Sequence, residues 1–277
     1  MMQVFVTGGS GYIGRATLAA LRRHGIAASA LVRTDRSAEI VAGLGATPVL
    51  GTLTDAEVLT GAARASDGVI HLGQAAEADG ADIDRTASEA MQAGLGDRGA
   101  YVHTGGTWVY GDTDGVVDED APQAPPALVA WRAANEKLVL ERPGRPVLVM
   151  PGLVYGKSGG LLETFYLSAA RGGGAVPCVG DGGNHWSTVH VDDIAELYVL
   201  ALHAPAGSVY AGVAEGYPTQ AEVLTAAARE AGLPETLTHL SLPEAVALMG
   251  PIAEAFHLDQ QVTGARARTA LPWLPPS

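Results

Sequence analysis

The feature that most constrains the fold is the opening stretch, Val4-Phe5-Val6-Thr7-Gly8-Gly9-Ser10-Gly11-Tyr12-Ile13-Gly14. An apolar run ending in glycines predicts a buried strand and a tight turn, followed by a helix patterned on Ile13, Ala16, Leu18 and Leu21. Gly8, Gly11 and Gly14 allow the sharp turn, the close approach of backbone to a pyrophosphate, and the close packing of helix on strand. The helix start adds amide N–H groups and the positive end of its dipole. Such a turn holds a dinucleotide through Gly8, Gly11, Tyr12, Ile13 and Gly14, provided that a second strand follows about twenty residues on. Ala28-Ser29-Ala30-Leu31-Val32 meets that condition.

The rest of the chain continues the alternation. Short apolar runs at 2–7, 27–33, 47–50, 67–72, 100–105 and 146–151 are separated by helical patterns at 13–24, 36–45, 55–65, 81–96 and 128–142. Strands and helices in strict alternation predict a parallel, doubly wound α/β sheet with right-handed crossovers and helices on both faces. A length of 277 residues is enough for one large domain with a smaller appendage. The lone cysteine, Cys178, excludes an intrachain disulfide and fits a cytoplasmic setting. A net charge of −13 argues against nucleic-acid binding. The sequence holds no apolar run of about eighteen residues to span a membrane, and no basic leader precedes the first strand.

Ligands of open α/β sheets bind at the carboxyl ends of the strands, so those ends supply the candidate site. After the second strand stand Arg33 and Arg36, which suit the 2′-phosphate of NADP, whereas Asp35 between them would suit the ribose of NAD. NADP is the expected cofactor, with NAD as the alternative. Thr52 and Leu53 end the third strand, and Thr54 or Asp55 caps the next helix. Gly73, Gln74 and Ala75 follow the fourth strand, where small residues let the backbone pass close to a cofactor. His71 inside that strand reads as a satisfied core histidine. Glu77, Asp79, Asp82 and Asp84 read as a solvated loop and helix start rather than a metal site, since no histidine lies among them. Thr104 and Thr107 bring hydroxyls to the end of the fifth strand.

These residues resemble the short-chain dehydrogenase/reductase superfamily, in its extended or atypical, NAD(P)-dependent epimerase/dehydratase-like branch. The resemblance is carried by Thr7 to Gly14, by Thr107-Trp108-Val109-Tyr110-Gly111, by Pro151-Gly152-Leu153-Val154-Tyr155-Gly156, and by Val189-His190-Val191-Asp192-Asp193-Ile194-Ala195. It implies a Rossmann-type fold with a small C-terminal substrate-binding cap, a bound nicotinamide dinucleotide with Pro151 and Val154 near its nicotinamide, and a homodimer. The family's chemistry rests on a Tyr-x-x-x-Lys pair, in which the lysine charge lowers the phenol pKa for proton exchange. That pair is missing. Only Lys137 and Lys157 occur, with Ala133 and Leu153 four residues before them. The family pattern puts Leu128 at the tyrosine and Arg132 at the lysine. Arg132 can still hold the nicotinamide ribose, but it cannot donate a proton at neutral pH. The family's Ser/Thr position falls on Gly106. Substitute acids are therefore sought among Thr107, Tyr155 and His185, with Tyr110 and His190 behind them.

In the C-terminal third, an apolar helix is expected around Leu161 to Leu167, then a strand, turn and return over Val176 to Ser187, and helices at 219–231 and 242–256. The resemblance places Trp108, Tyr166, His185 and Trp186 at the substrate, with a place in the core as the alternative for Trp186. Cys178 on an apolar strand reads as an inert thiol. The expected division is a dinucleotide domain at 1–151, completed by about 188–205, and a cap from 152–187 and 206–277. The leading expectation is an NADP-dependent oxidoreductase that transfers hydride to a small apolar carbonyl, imine or enone, with non-standard proton delivery. Two alternatives are an NADP-binding redox sensor without catalysis and a non-redox isomerase or lyase on the same fold. Among partners, only a small-molecule substrate and a second copy of the chain are expected.

Overall fold

The computed structural model describes residues 2–75 and 79–275. The elements follow the sequence pattern closely: β1 Gln3–Thr7, α1 Tyr12–Arg23, β2 Ala27–Val32, α2 Asp35–Gly43, β3 Thr47–Leu50, α3 Ala56–Arg64, β4 Gly68–His71, α4 Gly80–Leu95 and β5 Ala100–Thr104. After β6 Val116–Val117 come α5 Ala130–Glu141, β7 Arg145–Pro151, β8 Leu153–Tyr155, α6 Ser168–Gly173, β9 Val176–Val179, β10 Thr188–His190, α7 Val191–Ala201 and β11 Ser208–Gly212. The chain closes with α8 Gln220–Glu230, β12 Leu237–Leu240, α9 Leu242–Met249, α10 Ile252–Phe256, β13 Gln261–Val262 and α11 Ala265–Ala270. No helix among the described residues is long and apolar enough to cross a membrane.

Seven strands form one sheet in the order β11-β7-β5-β4-β1-β2-β3, every neighbouring pair parallel. The order reverses direction between β1 and β4, so a crevice opens at their carboxyl ends. Side chains of successive strand residues point to opposite faces, and here both faces are apolar and covered. Val4 and Val6 of β1 join one cluster with α1 and α7, while Phe5 between them joins another with α3, α4 and α5. This double burial explains why the strands read as near-continuous apolar runs.

A separate apolar cluster is built from the C-terminal third, joining Leu153, Leu162, Tyr166, Cys178, Trp186, Leu224 and Phe256. The Tyr166 and Phe256 rings meet edge to face at 5.0 Å. Gln220 ties this unit together by accepting from the Val179 amide at 2.7 Å and donating to the Phe256 carbonyl at 3.0 Å. Cys178 donates to the same Gln220 oxygen, and burial pushes its thiol up to about 11, consistent with an inert side chain.

Three expectations fail, the first through local chain-breaking residues and the other two through tertiary context. The helix expected over 242–256 is two, because Gly250 sits at φ +77° and Pro251 supplies no N–H to continue the ladder. The strand, turn and return over Val176 to Ser187 does not form a hairpin. β9 instead pairs in parallel with β12, and the return runs into β10, which pairs with β8. The division after residue 205 also falls elsewhere: β11 is the outermost strand of the main sheet, and Trp273 packs into the main cluster, donating to the Asp193 carbonyl at 2.8 Å.

Candidate active site

The glycine turn lies at the β1 carboxyl end. Gly8 takes φ +70°, and a Cβ on Gly14 would collide with the Gly8 carbonyl, so the turn and α1 touch backbone to backbone. The first N–H groups of α1 have no acceptor within the helix and open into the crevice. From this point a cavity of about 480 Å³ runs to Arg33, Thr34, Leu53 and Gly73. A second, of about 690 Å³, runs the other way over Thr104 to Trp108, Arg132 and Pro151 to Val154, as far as Ile252. Gly8, Gly11, Leu72 and Gln74 border both, so the two make one groove along the sheet edge. Its backbone floor and helix start fit an extended dinucleotide.

The groove brings together most of the residues singled out by sequence: Gly8, Gly11, Tyr12, Ile13, Gly14, Arg33, Leu53, Gly73, Gln74, Ala75, Thr104, Thr107, Trp108, Arg132, Pro151 and Val154 all line it. Six do not. Arg36 is exposed on the first turn of α2, and Thr52 is turned onto the Asp55 carboxylate at 2.8 Å. Tyr155 packs edge-on against His190 at 5.5 Å, and burial raises its phenol pKa, with help from the Asp193 and Glu230 charges, which makes it a worse acid. The His185 ring is held by Asp259 at 2.8 Å, away from the groove. Tyr166 is fully buried among aromatic rings, and Trp186 is buried with its indole N–H given to the Phe256 carbonyl at 2.9 Å. These two form the core that supports the groove rather than its surface. Leu128, Val129, Leu161, Thr164 and Ile252 complete the wall. Of these, only Leu128 had a sequence signal, through its place in the family pattern.

At the wider end, the polar groups are few and mostly committed. The Thr104 hydroxyl donates to the His71 carbonyl at 2.7 Å and accepts from Tyr198 at 2.9 Å. Arg132 donates to the Thr104 carbonyl at 3.3 Å and to Gln74 Oε1 at 2.8 Å, its guanidinium 4.7 Å from the centre of the Trp131 ring. Thr107, by contrast, borders the groove, and its hydroxyl makes no hydrogen bond to the described residues. Behind Gly105 lies Glu136, buried, with its pKa raised to about 7 by burial, an effect the Arg132 charge partly offsets.

Beneath the groove, a buried polar network fixes the strand ends. Thr7 Oγ1 lies 2.5 Å from His71 Nδ1 and accepts from the Gly73 amide at 3.0 Å. His71 Nε2 meets Asp84 Oδ1 at 3.2 Å, and Asn135 donates to Asp84 Oδ2 at 3.0 Å. His103 Nε2 stands 3.8 Å from the same carboxylate, and its other nitrogen faces the Tyr101 hydroxyl at 3.3 Å. Burial opposes charge on Asp84, yet the hydrogen bond from His71 and the neighbouring imidazoles hold it well below the usual carboxylate range. Burial pushes His103 down to about 3, so it is neutral at physiological pH. His71 is thus a satisfied core histidine. Asp84, expected in a solvated stretch, is instead buried with two histidines, their ligand-type atoms all within 4.8 Å of one another. Glu77 lies outside the described residues.

Comparison with known proteins places this geometry. The sequence profile of the NAD dependent epimerase/dehydratase family matches residues 4–212. The chain is 33% identical over 232 residues to Uncharacterized protein YLL056C of Saccharomyces cerevisiae, covering 77% of this chain and 75% of that protein. It is 35% identical over 226 residues to 4-hydroxy-2-methyl-3-oxo-4-farnesyl-3,4-dihydroquinoline-1-oxide ketoreductase of Stigmatella aurantiaca, covering 76% of this chain and 67% of that one. Among solved structures, the dTDP-glucose 4,6-dehydratase of Bacillus anthracis in complex with NAD shares the fold, with TM-score 0.80 at 18% identity over 100% of this chain and 92% of the other.

Proposed function

The chain belongs to the NAD dependent epimerase/dehydratase family, and from that premise we propose that it is an NADP-dependent oxidoreductase that reduces an apolar carbonyl, imine or enone. The observation that carries this reading is the wider cavity, which adjoins the glycine turn yet is walled by Leu128, Val129, Leu153, Leu161 and Ile252. Arg132 is its only cation among the described residues, and that fork is already spent on Thr104 and Gln74. A nucleotide sugar would find nothing there to pair with its diphosphate. The Stigmatella relative, a ketoreductase named for a farnesyl-bearing quinoline oxide, supports an apolar ketone.

In this reading the β1 to β5 strand ends hold the dinucleotide, and the unit around Tyr166, Trp186 and Phe256 carries the substrate wall. When bound, the reduced nicotinamide supplies hydride. Thr107 donates a hydrogen bond to the substrate oxygen as charge develops on it, and Arg132 holds Gln74 and the Thr104 carbonyl in place beside the nicotinamide ribose. Removal of one such donor costs about 10²–10³ in kcat. Thr107→Val is therefore expected to lose about that much in kcat while binding NADPH normally, measured by NADPH oxidation against a panel of apolar ketones, imines and enones. A wild type inert toward the whole panel would overturn the reading.

The cofactor preference rests on Arg33, which lines the adenosine end of the groove with Thr34 and Ser37 at the start of α2. A charge-assisted hydrogen bond to a 2′-phosphate is worth ~1.5–3 kcal/mol. Arg33→Ala should accordingly weaken NADPH binding about tenfold to a hundredfold and leave NADH binding unchanged, as read by fluorescence titration. Equal losses for both cofactors would show that Arg33 has no part in the choice.

A further inference from the structure

Directly after Thr107 stands Trp108, a half-buried side chain that walls the wider cavity. It also walls a second, much smaller void of about 10 Å³, whose far side is formed by Trp186, Phe256 and Leu258. A space of that size holds no more than about one water molecule. Among the described residues, Trp108 and Leu153 are the two that border both spaces, so they form the partition between them. The Trp108 indole is held there by packing alone. It meets the Phe256 ring edge to face at 5.8 Å, and its N–H makes no hydrogen bond to the described residues. Trp186 and Trp273 differ, each giving its N–H to a backbone carbonyl. Truncating Trp108 therefore strands no polar partner.

The far wall of the void is aromatic, and its side-chain donors are already committed. The Trp186 N–H goes to the Phe256 carbonyl, the Ser187 hydroxyl to the Gln260 carbonyl at 3.2 Å, and the Gln260 amide to the carbonyls of Thr107 and Gly111 at 2.9 and 2.7 Å. Gln260 thereby ties this wall to the backbone beside Trp108, independently of the indole. Resting on the reductase reading, we propose that Trp108 sets the substrate range of the site by dividing the substrate groove from a latent aromatic subsite. Next to Thr107, the indole limits the substituent of the reacting carbon that faces it to methyl or ethyl size, while the other substituent extends along the apolar groove. The substrate class is thus a carbonyl, imine or enone with one small alkyl group and one long apolar arm. With the indole removed, its space merges with the void, and a flat ring can enter between Trp186 and Phe256, where edge-to-face contacts are favourable.

The test uses matched pairs of substrates that differ only in carrying methyl or phenyl on the reacting carbon. Wild type should prefer the methyl member. A pocket separates substrates by about 10–200-fold for each methylene that fits or does not, so Trp108→Ala should shift the phenyl-to-methyl ratio of kcat/KM toward phenyl by about tenfold or more. Calorimetry of the phenyl substrate on the NADP⁺-loaded protein should show the same gain without turnover. Leu258→Phe, added to Trp108→Ala, refills the void from its far wall and should cancel most of the gain. Damage to the structure alone would lower both members together and could not raise the phenyl one. Should Trp108→Ala not fold, Trp108→Leu, which frees part of the same space, should shift the ratio in the same direction by less. A ratio unchanged in the Trp108 variants, or a gain that Leu258→Phe leaves undiminished, overturns this inference and leaves the reductase reading standing. A wild type inert toward every substrate overturns the reductase reading, and this inference falls with it.

Discussion

Gly14→Val is expected to abolish dinucleotide binding while leaving the chain folded enough to measure. Gly14 lies on the inner side of α1, and any Cβ there is driven into the backbone carbonyl of Gly8 and toward Gly9. Backbone cannot swing aside as a flexible side chain can, so α1 must move away from β1. The turn then opens, and the amide groups of Tyr12, Ile13 and Gly14 no longer converge on one phosphate. A loss of more than about a hundredfold in NADPH affinity, ~3 kcal/mol, is expected by calorimetry. Gly43→Ala is the matched control, since a Cβ at Gly43 meets nothing within 4 Å. Gly14→Val binding as tightly as that control would mean that the turn does not seat the phosphates.

Asp84→Ala should have the largest effect on stability. The carboxylate is 4% exposed and receives His71 and Asn135, so its removal leaves two buried polar groups without their acceptor. Each buried polar group left without its partner costs about 1–3 kcal/mol. The melting temperature should fall by on the order of 10 °C, since 1 kcal/mol shifts a domain of this size by roughly 2–4 °C. The wild type should also show a matching pH dependence. Asp84 and His103 both have folded pKa values depressed below their unfolded ones, near ~3.9 and ~6.5. Their contribution is complete above the unfolded values and is lost as pH falls through the folded ones. Stability should therefore begin to erode below about pH 6.5 as the unfolded His103 takes up a proton, and drop faster below about pH 4. Asp84→Asn should flatten the lower part of that curve in denaturant titrations. A loss below about 1 kcal/mol that is constant with pH would show that the network is dispensable.

Much of the site was legible in the sequence because it is made of local pieces. Glycines at Gly8, Gly11 and Gly14 are close in the chain, and Arg33, Gly73 and Thr104 each stand at or just past the end of a strand that an apolar run marks. What escaped was long-range. Leu161, Thr164 and Ile252 carry no motif, and they reach the groove only because their helices pack on the cluster around Phe256. Tyr155, His185, Tyr166 and Trp186 had the right chemistry and the right neighbourhood in sequence, but their side chains are turned onto His190, Asp259 and the aromatic core. Side-chain direction at such positions depends on packing that no local pattern encodes.

The sequence by itself determined the strand-helix alternation, the glycine turn, the loss of Tyr-x-x-x-Lys, and hence that a dinucleotide fold lacks its usual proton donor. Periodicity and glycine placement are properties of neighbouring residues, so they can be read in one dimension. Only the tertiary structure decided that Asp84 leaves its acidic stretch to lie between His71 and His103, and that Glu136 lies behind Gly105 with no hydrogen-bond partner among the described residues. Both follow from helices α4 and α5 settling on the same face of the sheet, where burial rather than sequence position sets the charge each carboxyl can hold.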